Sequence, residues 1–258
     1  MRLITKMGRL GVATLAGLCP VAGQTQPAAV KNIVLVHGAW VDGSGWKPVY
    51  QMLTRDGYHV AVVQEPLTGF SEDVKAVARV LGQQTGRCIL VAHSYGGSLI
   101  SEAGTDPHVA ALVYVAAHMP DAGESEAGDG KLYPSALSQA KLVQKTADGY
   151  TVLPSSVFPS FFAADLPAAQ AEFEAHSQVP TSAAVFEGKI TIPAWRSKPS
   201  WMVVAGADRV ISPVLERWYA TRAHSHVVEV AGASHSVYES RPAEVVGAIE
   251  DAAQHAQP

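Results

Sequence analysis

Ser94 lies in the run Ala92-His93-Ser94-Tyr95-Gly96-Gly97, directly after the apolar stretch Cys88–Ala92 and ahead of residues with helical character. A serine hydroxyl is a weak nucleophile until a base removes its proton. A sharp turn from strand to helix exposes the oxygen and aims a helix N-terminus at any anion forming beside it. Such a turn crowds the backbone, so the positions two before and two after the serine must be small; Ala92 and Gly96 meet that need. Alone the match is weak, because a Ser/Gly-rich helix cap looks the same. Two further groups give it weight. Asp208 follows the apolar run Trp201–Ala205, and His235 follows Val227–Val230. Imidazole is suited to move a proton at neutral pH. A carboxylate behind it fixes the tautomer and stabilises the imidazolium. Singly, Asp208 could instead pair with Arg209, and His235 could be a turn residue.

A fourth run, His37-Gly38-Ala39-Trp40, closes the first strong apolar stretch. Acyl transfer passes through a tetrahedral oxyanion that needs two fixed N–H donors. The expected donors are the backbone N–H of Tyr95, just after the serine, and that of Ala39. His37 reads as a packing or hydrogen-bonding residue, His93 as lining the turn, and His118 as bordering a pocket. The other histidines read as surface or structural. No His-x-x-x-His or paired-cysteine spacing suggests a metal, and no Gly-rich phosphate loop is present, so no cofactor is expected.

These groups must be carried by an alternation of strands and helices. Apolar runs at Lys31–His37, Tyr58–Gln64, Arg87–His93, Val109–Ala117, Trp201–Ala205 and His226–Ala231 read as strands, most of them buried. Between them, helical patterns cover Trp46–Asp56, Ser71–Gly82 with Ser71 as N-cap, and Gly96–Thr105, with a closing helix over Arg241–His255. The rhythm is that of βαβ units in a mostly parallel sheet with helices on both faces. The candidate residues follow the carboxyl ends of the strands, where open α/β sheets place their ligands. Residues 119–197 break the rhythm. They are rich in Ala, Ser, Pro and aromatics, hold no convincing buried strand, and read as a small helical lid with a helix over Leu166–Gln178. Trp40, His118 and the lid aromatics Phe158, Phe161, Phe162 and Trp195 are the expected substrate contacts, the aromatics being equally suited to a lid core.

The amino-terminal residues differ from the rest. Arg2, Lys6 and Arg9 precede the apolar run Leu10–Cys19, and small residues lead to Gly23. That pattern is expected of a signal peptide over residues 1–23 and an exported, periplasmic or secreted domain over 24–258. The run is too short to span a bilayer stably, and lipidation at Cys19 is disfavoured by the bulky Leu18 before it. Removing three positive charges would take the net charge from −4 to −7. No basic patch stands out, so nucleic acid is not an expected partner. A small-molecule ester is; the oligomeric state is left open. Cys88 reads as a buried, inert thiol.

At these residues the chain resembles the α/β-hydrolase superfamily from about Asn32 to its end. The runs Val34–Trp40, Gly43–Trp46 and Ala111–Asp121 are similar to the small-lid branch that holds plant methyl esterases, hydroxynitrile lyases and exported bacterial relatives. The resemblance implies the α/β-hydrolase fold, a triad of Ser94, Asp208 and His235, and an oxyanion hole at Ala39 and Tyr95. The lyases of that branch typically carry Thr at the position of Gly38 and Lys where this chain has Ser236, which favours ester hydrolysis here. Amide, lactone or thioester hydrolysis, a cofactor-free lyase or perhydrolase step, and a ligand-binding protein without catalysis are the alternatives.

Overall fold

The computed structural model describes residues 29–256, together with positions 1 and 3. Apart from those two positions, the expected leader over 1–23 lies outside the described residues.

Strand β1 (Asn32–Val36) leads through a short 3-10 turn into helix α1 (Lys47–Arg55), which ends before Gly57 at φ +83°. Then follow β2 (His59–Val62), α2 (Phe70–Leu81), β3 (Cys88–Ser94), α3 (Gly96–Ala103) and β4 (Val109–Ala117). Ser71 is not the cap of α2. The helix starts at Phe70 with extended Gly69 before it. Phe70 packs on the backbone of Gly188, where a side chain would collide with the ring, and Asp73 accepts the N–H of Leu67 at 2.9 Å from inside the first turn.

The insertion holds α4 (Glu126–Leu132), α5 (Ala136–Ala140), β5 (Gln144–Lys145), β6 (Tyr150–Val152), α6 (Phe158–Phe161), α7 (Ala168–His176) and β7 (Thr181–Ser182). It is not purely helical: β5, β6 and β7 form a three-stranded antiparallel sheet. Its strands are two or three residues long and polar, so they carry no readable period. The insertion narrows at a neck, where Gly123 N–H donates to Ile190 O at 2.8 Å and Ile190 N–H donates to Glu124 O at 3.1 Å. Beyond the neck the chain crosses back to β8 (Ser200–Ala205), then α8 (Pro213–Ala223), β9 (His226–Val230), α9 (Val237–Ser240) and α10 (Pro242–His255).

The main sheet has six parallel strands in the order β2-β1-β3-β4-β8-β9. Alternate residues along each strand point to opposite faces. Val34, Leu90, Leu112 and Met202 join a core with α2, α3 and α8, whereas Ile33, Ile89, Val113 and Trp201 join a second core with α1 and α10. The central strands β3 and β4 are buried throughout, which is why their runs are continuously apolar. β9 departs from its reading as a buried strand. It is the sheet edge, and Val227 is 52% exposed.

Candidate active site

Ser94 is the last residue of β3 and takes φ +56°, a left-handed conformation that costs a non-glycine residue roughly 1 kcal/mol or more. Its neighbours over-determine the turn. A Cβ on Gly96 would collide with the His37 carbonyl, one on Gly97 with the His118 carbonyl, and one on Gly38 would sit 2.6 Å from Ser94 Cβ. The ends of β1, β3 and β4 therefore approach more closely than side chains allow. His118 N–H also donates to Ser94 O at 3.2 Å.

At that rim three side chains meet. Ser94 Oγ–H donates to His235 Nε2 at 2.9 Å, and His235 Nδ1–H donates to Asp208 Oδ2 at 2.6 Å. The other carboxylate oxygen, Oδ1, accepts the N–H groups of Val210 (2.7 Å) and Ile211 (3.0 Å), which fixes the plane of Asp208. His235 is fully buried. Its ring meets Phe162 edge-on at 4.6 Å and His93 at 4.5 Å. His93 Nε2–H donates to the His235 carbonyl at 3.0 Å, and burial pushes His93 well below the usual histidine range, so it stays neutral. Behind Asp208, the buried Glu216 of α8 accepts Ala205 N–H at 3.2 Å. Burial, then the neighbouring Asp208, holds its carboxyl well above the usual range.

Among the described residues neither Ala39 N–H nor Tyr95 N–H has a hydrogen-bond acceptor. The surrounding groups are engaged elsewhere. Trp40, at φ +65°, donates its N–H to Thr181 Oγ1 (2.9 Å) and its indole N–H to Thr151 Oγ1 (3.0 Å). The Tyr95 hydroxyl donates to Asp73 Oδ2 at 2.8 Å, and burial raises Asp73 to about 6. His37 Nδ1 lies 3.0 Å from Glu65 Oε1, and burial lowers this histidine to about 4.

A cavity of about 550 Å³ reaches Ser94. Its apolar lining includes Trp40, Val143, Phe186, Val210, Ile211 and Leu215. Its polar pair is His118 and Glu126, with Nε2 and Oε1 3.2 Å apart. Trp40 and His118, both expected contacts, are on the wall, but Phe158, Phe161, Phe162 and Trp195 are not. Phe158 and Phe162 stack at 4.6 Å as lid core under His235, and Phe161 lies beneath the Arg209 guanidinium. Trp195 is buried with its N–H on Pro120 O at 3.0 Å. These rings hold the insertion on the sheet. The sequence signal for the true wall was the apolar Val210-Ile211 just past Asp208, a strand-end position like that of Ala39. Glu126 and Glu216 carried no distinguishing signal.

Residues 33–248 match the model of the alpha/beta hydrolase family. The chain belongs to that family. Among curated proteins it is similar to a carbendazim hydrolyzing esterase of Nocardioides sp. (strain SG-4G), 34% identical over 108 residues, or 36% of this chain. That alignment spans 45% of the esterase's length. Among solved structures, a polyneuridine aldehyde esterase superposes with TM-score 0.74 at 17% identity, covering 86% of this chain and 98% of that one. A pyrethroid hydrolase from Sphingobium faniae gives 0.72 at 23%, covering 88% and 98%. At such identities the likeness concerns the fold. Family membership and esterase relatives support a hydrolase, and ester hydrolysis in general.

Proposed function

We propose that this family member hydrolyses carboxylic esters bearing a bulky apolar group, through an acyl-enzyme on Ser94. The observation that carries the reading is the continuous path Ser94 Oγ–His235–Asp208, with its serine end open to an apolar cavity. In this mechanism Oγ attacks the ester carbonyl as His235 Nε2 takes the hydroxyl proton. The oxyanion sits between the N–H groups of Ala39 and Tyr95. Collapse breaks the C–O bond, and His235 returns the proton to the leaving alcohol. Water, deprotonated by the same imidazole, then releases the acid and restores the serine.

The size and walls of the cavity suit an aromatic or branched acyl or alcohol group rather than a short acetyl ester alone. Relatives named for carbendazim and pyrethroid hydrolysis support that choice. Cyanohydrin cleavage is disfavoured by two positions. Ser236 supplies no cation, and a side chain at Gly38 would strike Ser94 Cβ. We further propose that the domain acts after export, on the amino-terminal pattern alone.

The test is hydrolysis of p-nitrophenyl butyrate together with labelling by a fluorophosphonate. The wild type should do both and Ser94→Ala neither. Turnover retained by Ser94→Ala, or a wild type inert to both reagents, would overturn the assignment.

A further inference from the structure

We propose that a second cleft, apart from the reaction cavity, binds a small organic cation bearing N–H donors, held at Glu174, Glu239 and Tyr238. The inference does not depend on the serine-hydrolase reading above. The cleft holds about 260 Å³ and lies among α7 of the insertion, the segment after β1 and α9. Its wall carries three carboxylic residues, Asp42, Glu174 and Glu239, against one lysine, Lys47. Trp40 is the one residue it shares with the cavity that reaches Ser94.

The side-chain NH₂ of Gln170 donates to Glu174 Oε1 at 2.9 Å and to Glu239 Oε2 at 3.0 Å, so one amide draws two carboxyls together. Carboxylates so placed repel unless a cation or a proton comes between them. Among the described residues, the ion pairs made by lysine and arginine leave both of them out. The other oxygen of Glu174, Oε2, is buried and accepts no hydrogen bond. Tyr238 is fully buried although it forms part of the cleft wall, and its hydroxyl has no partner among the described residues either. That hydroxyl lies against Gly45 of the same wall, where an added Cβ would stand 2.5 Å from it. Buried polar atoms are normally paired. Both oxygens can accept an N–H, and the exposed Phe173 ring at the cleft offers its face to a cation. Among the described residues no group of three or more His, Cys, Asp or Glu is placed to hold a metal ion, so the donor set suits an organic cation. Facing Glu239 are Glu174 and Gln170 from α7, Tyr238 from its own helix, and Asp42 and Lys47 from the segment after β1. Burial, then Glu174, pushes the Glu239 carboxyl up to about 9, so at neutral pH a proton eases the pair and a bound cation would replace it.

The test is an NMR titration of the full chain with methylguanidinium chloride at constant ionic strength, with tetramethylammonium chloride as a cation of equal charge that has no N–H. The readouts are the amide signals of α7 and α9 and the pH titration of the Glu239 carboxyl carbon. Methylguanidinium is expected to move those amides to saturation and to lower the Glu239 midpoint, because the bound cation favours the ionised form. Tetramethylammonium should bind at least about tenfold more weakly, the scale of one charge-assisted hydrogen bond. Glu174→Gln should weaken methylguanidinium by a similar factor. Shifts that never saturate, an equal response to both cations, an unmoved Glu239 midpoint or full binding by a folded Glu174→Gln would each overturn the proposal. If Glu174→Gln does not fold, the comparison of the two cations on the wild type decides. A chain that binds methylguanidinium in this way but resists fluorophosphonate would keep this inference and lose the esterase reading. A labelled chain indifferent to methylguanidinium would do the reverse.

Discussion

The rim of the sheet and the insertion above it solve the same problem, holding side chains around one cavity, by opposite means. The rim takes Ser94 from the last position of β3, and Ala39, His118, Asp208 and His235 from the segments following β1, β4, β8 and β9. Close approach at Gly38 and Gly97 fixes Ser94 and His118, and hydrogen bonds to its side chain fix Asp208 and, through it, His235. The insertion supplies Glu126 from the start of α4, Val143 from the loop before β5 and Phe186 from a 3-10 helix after β7. Its order depends on buried aromatics and on polar ties such as Arg222 to Glu124 at 2.8 Å and Tyr219 to Asp129 at 2.7 Å. In the proposed mechanism, reaction chemistry falls to the sheet rim, and choice of substrate to the part built from small replaceable pieces.

Asp208→Asn should make the largest difference. It should lower kcat/KM on every ester by about 10³–10⁴, since the amide favours the wrong imidazole tautomer. A loss confined to some esters would show that the rim also selects substrate. Gly97→Ala strikes the contact with the His118 carbonyl. It should destabilise the fold by roughly 1–3 kcal/mol, seen as a lower Tm by calorimetry. An unchanged Tm would mean that the strand ends are less tightly joined than they look. Phe186→Ala, on the insertion side, should change the ratio of butyrate to benzoate ester hydrolysis by about tenfold while fluorophosphonate labelling stays near the wild-type rate. Labelling that falls as far as turnover would erase the contrast between the two regions.

The smallest effect concerns Asp73, behind Tyr95. Its folded value of about 6 stands above the unfolded value of 3.8, so the native state binds the proton more tightly. Stability from this group is fully present below 3.8 and is lost as pH rises toward 6. Asp73→Asn should therefore gain stability relative to wild type across that window and hold the gain above it. Denaturant midpoints at pH 4 and pH 7 check this. A constant difference between the two chains would count against a buried, proton-retaining Asp73.

What could be read from the sequence follows the same division. β1, β3, β4 and β8 are legible because buried parallel strands leave continuous apolar runs, and Ser94 and Asp208 stand just past such runs, whereas His235 follows the edge strand β9. Helix α8 is not legible. Its inward face includes Glu216, and its apolar residues make no clear stripe. The edge strand β9 reads as apolar although its side chains are mostly exposed. Within the insertion, aromatic content marked Phe158, Phe162 and Trp195 for the cavity. Large rings are equally what a small appendage uses to hold itself together, and sequence alone does not tell a wall from a foundation.

The neck formed by Gly123, Glu124 and Ile190 marks where this scaffold could be cut and rejoined. Residues 125–189 leave and return through one narrow doorway and could be exchanged as a cassette. Residues 191–199 belong to the obligatory bridge between β4 and β8 and could not go with them. A graft made at the doorway would keep the rim and acquire a new appetite; one made at the strand ends would also replace the bridge that brings β8 and β9 alongside β4.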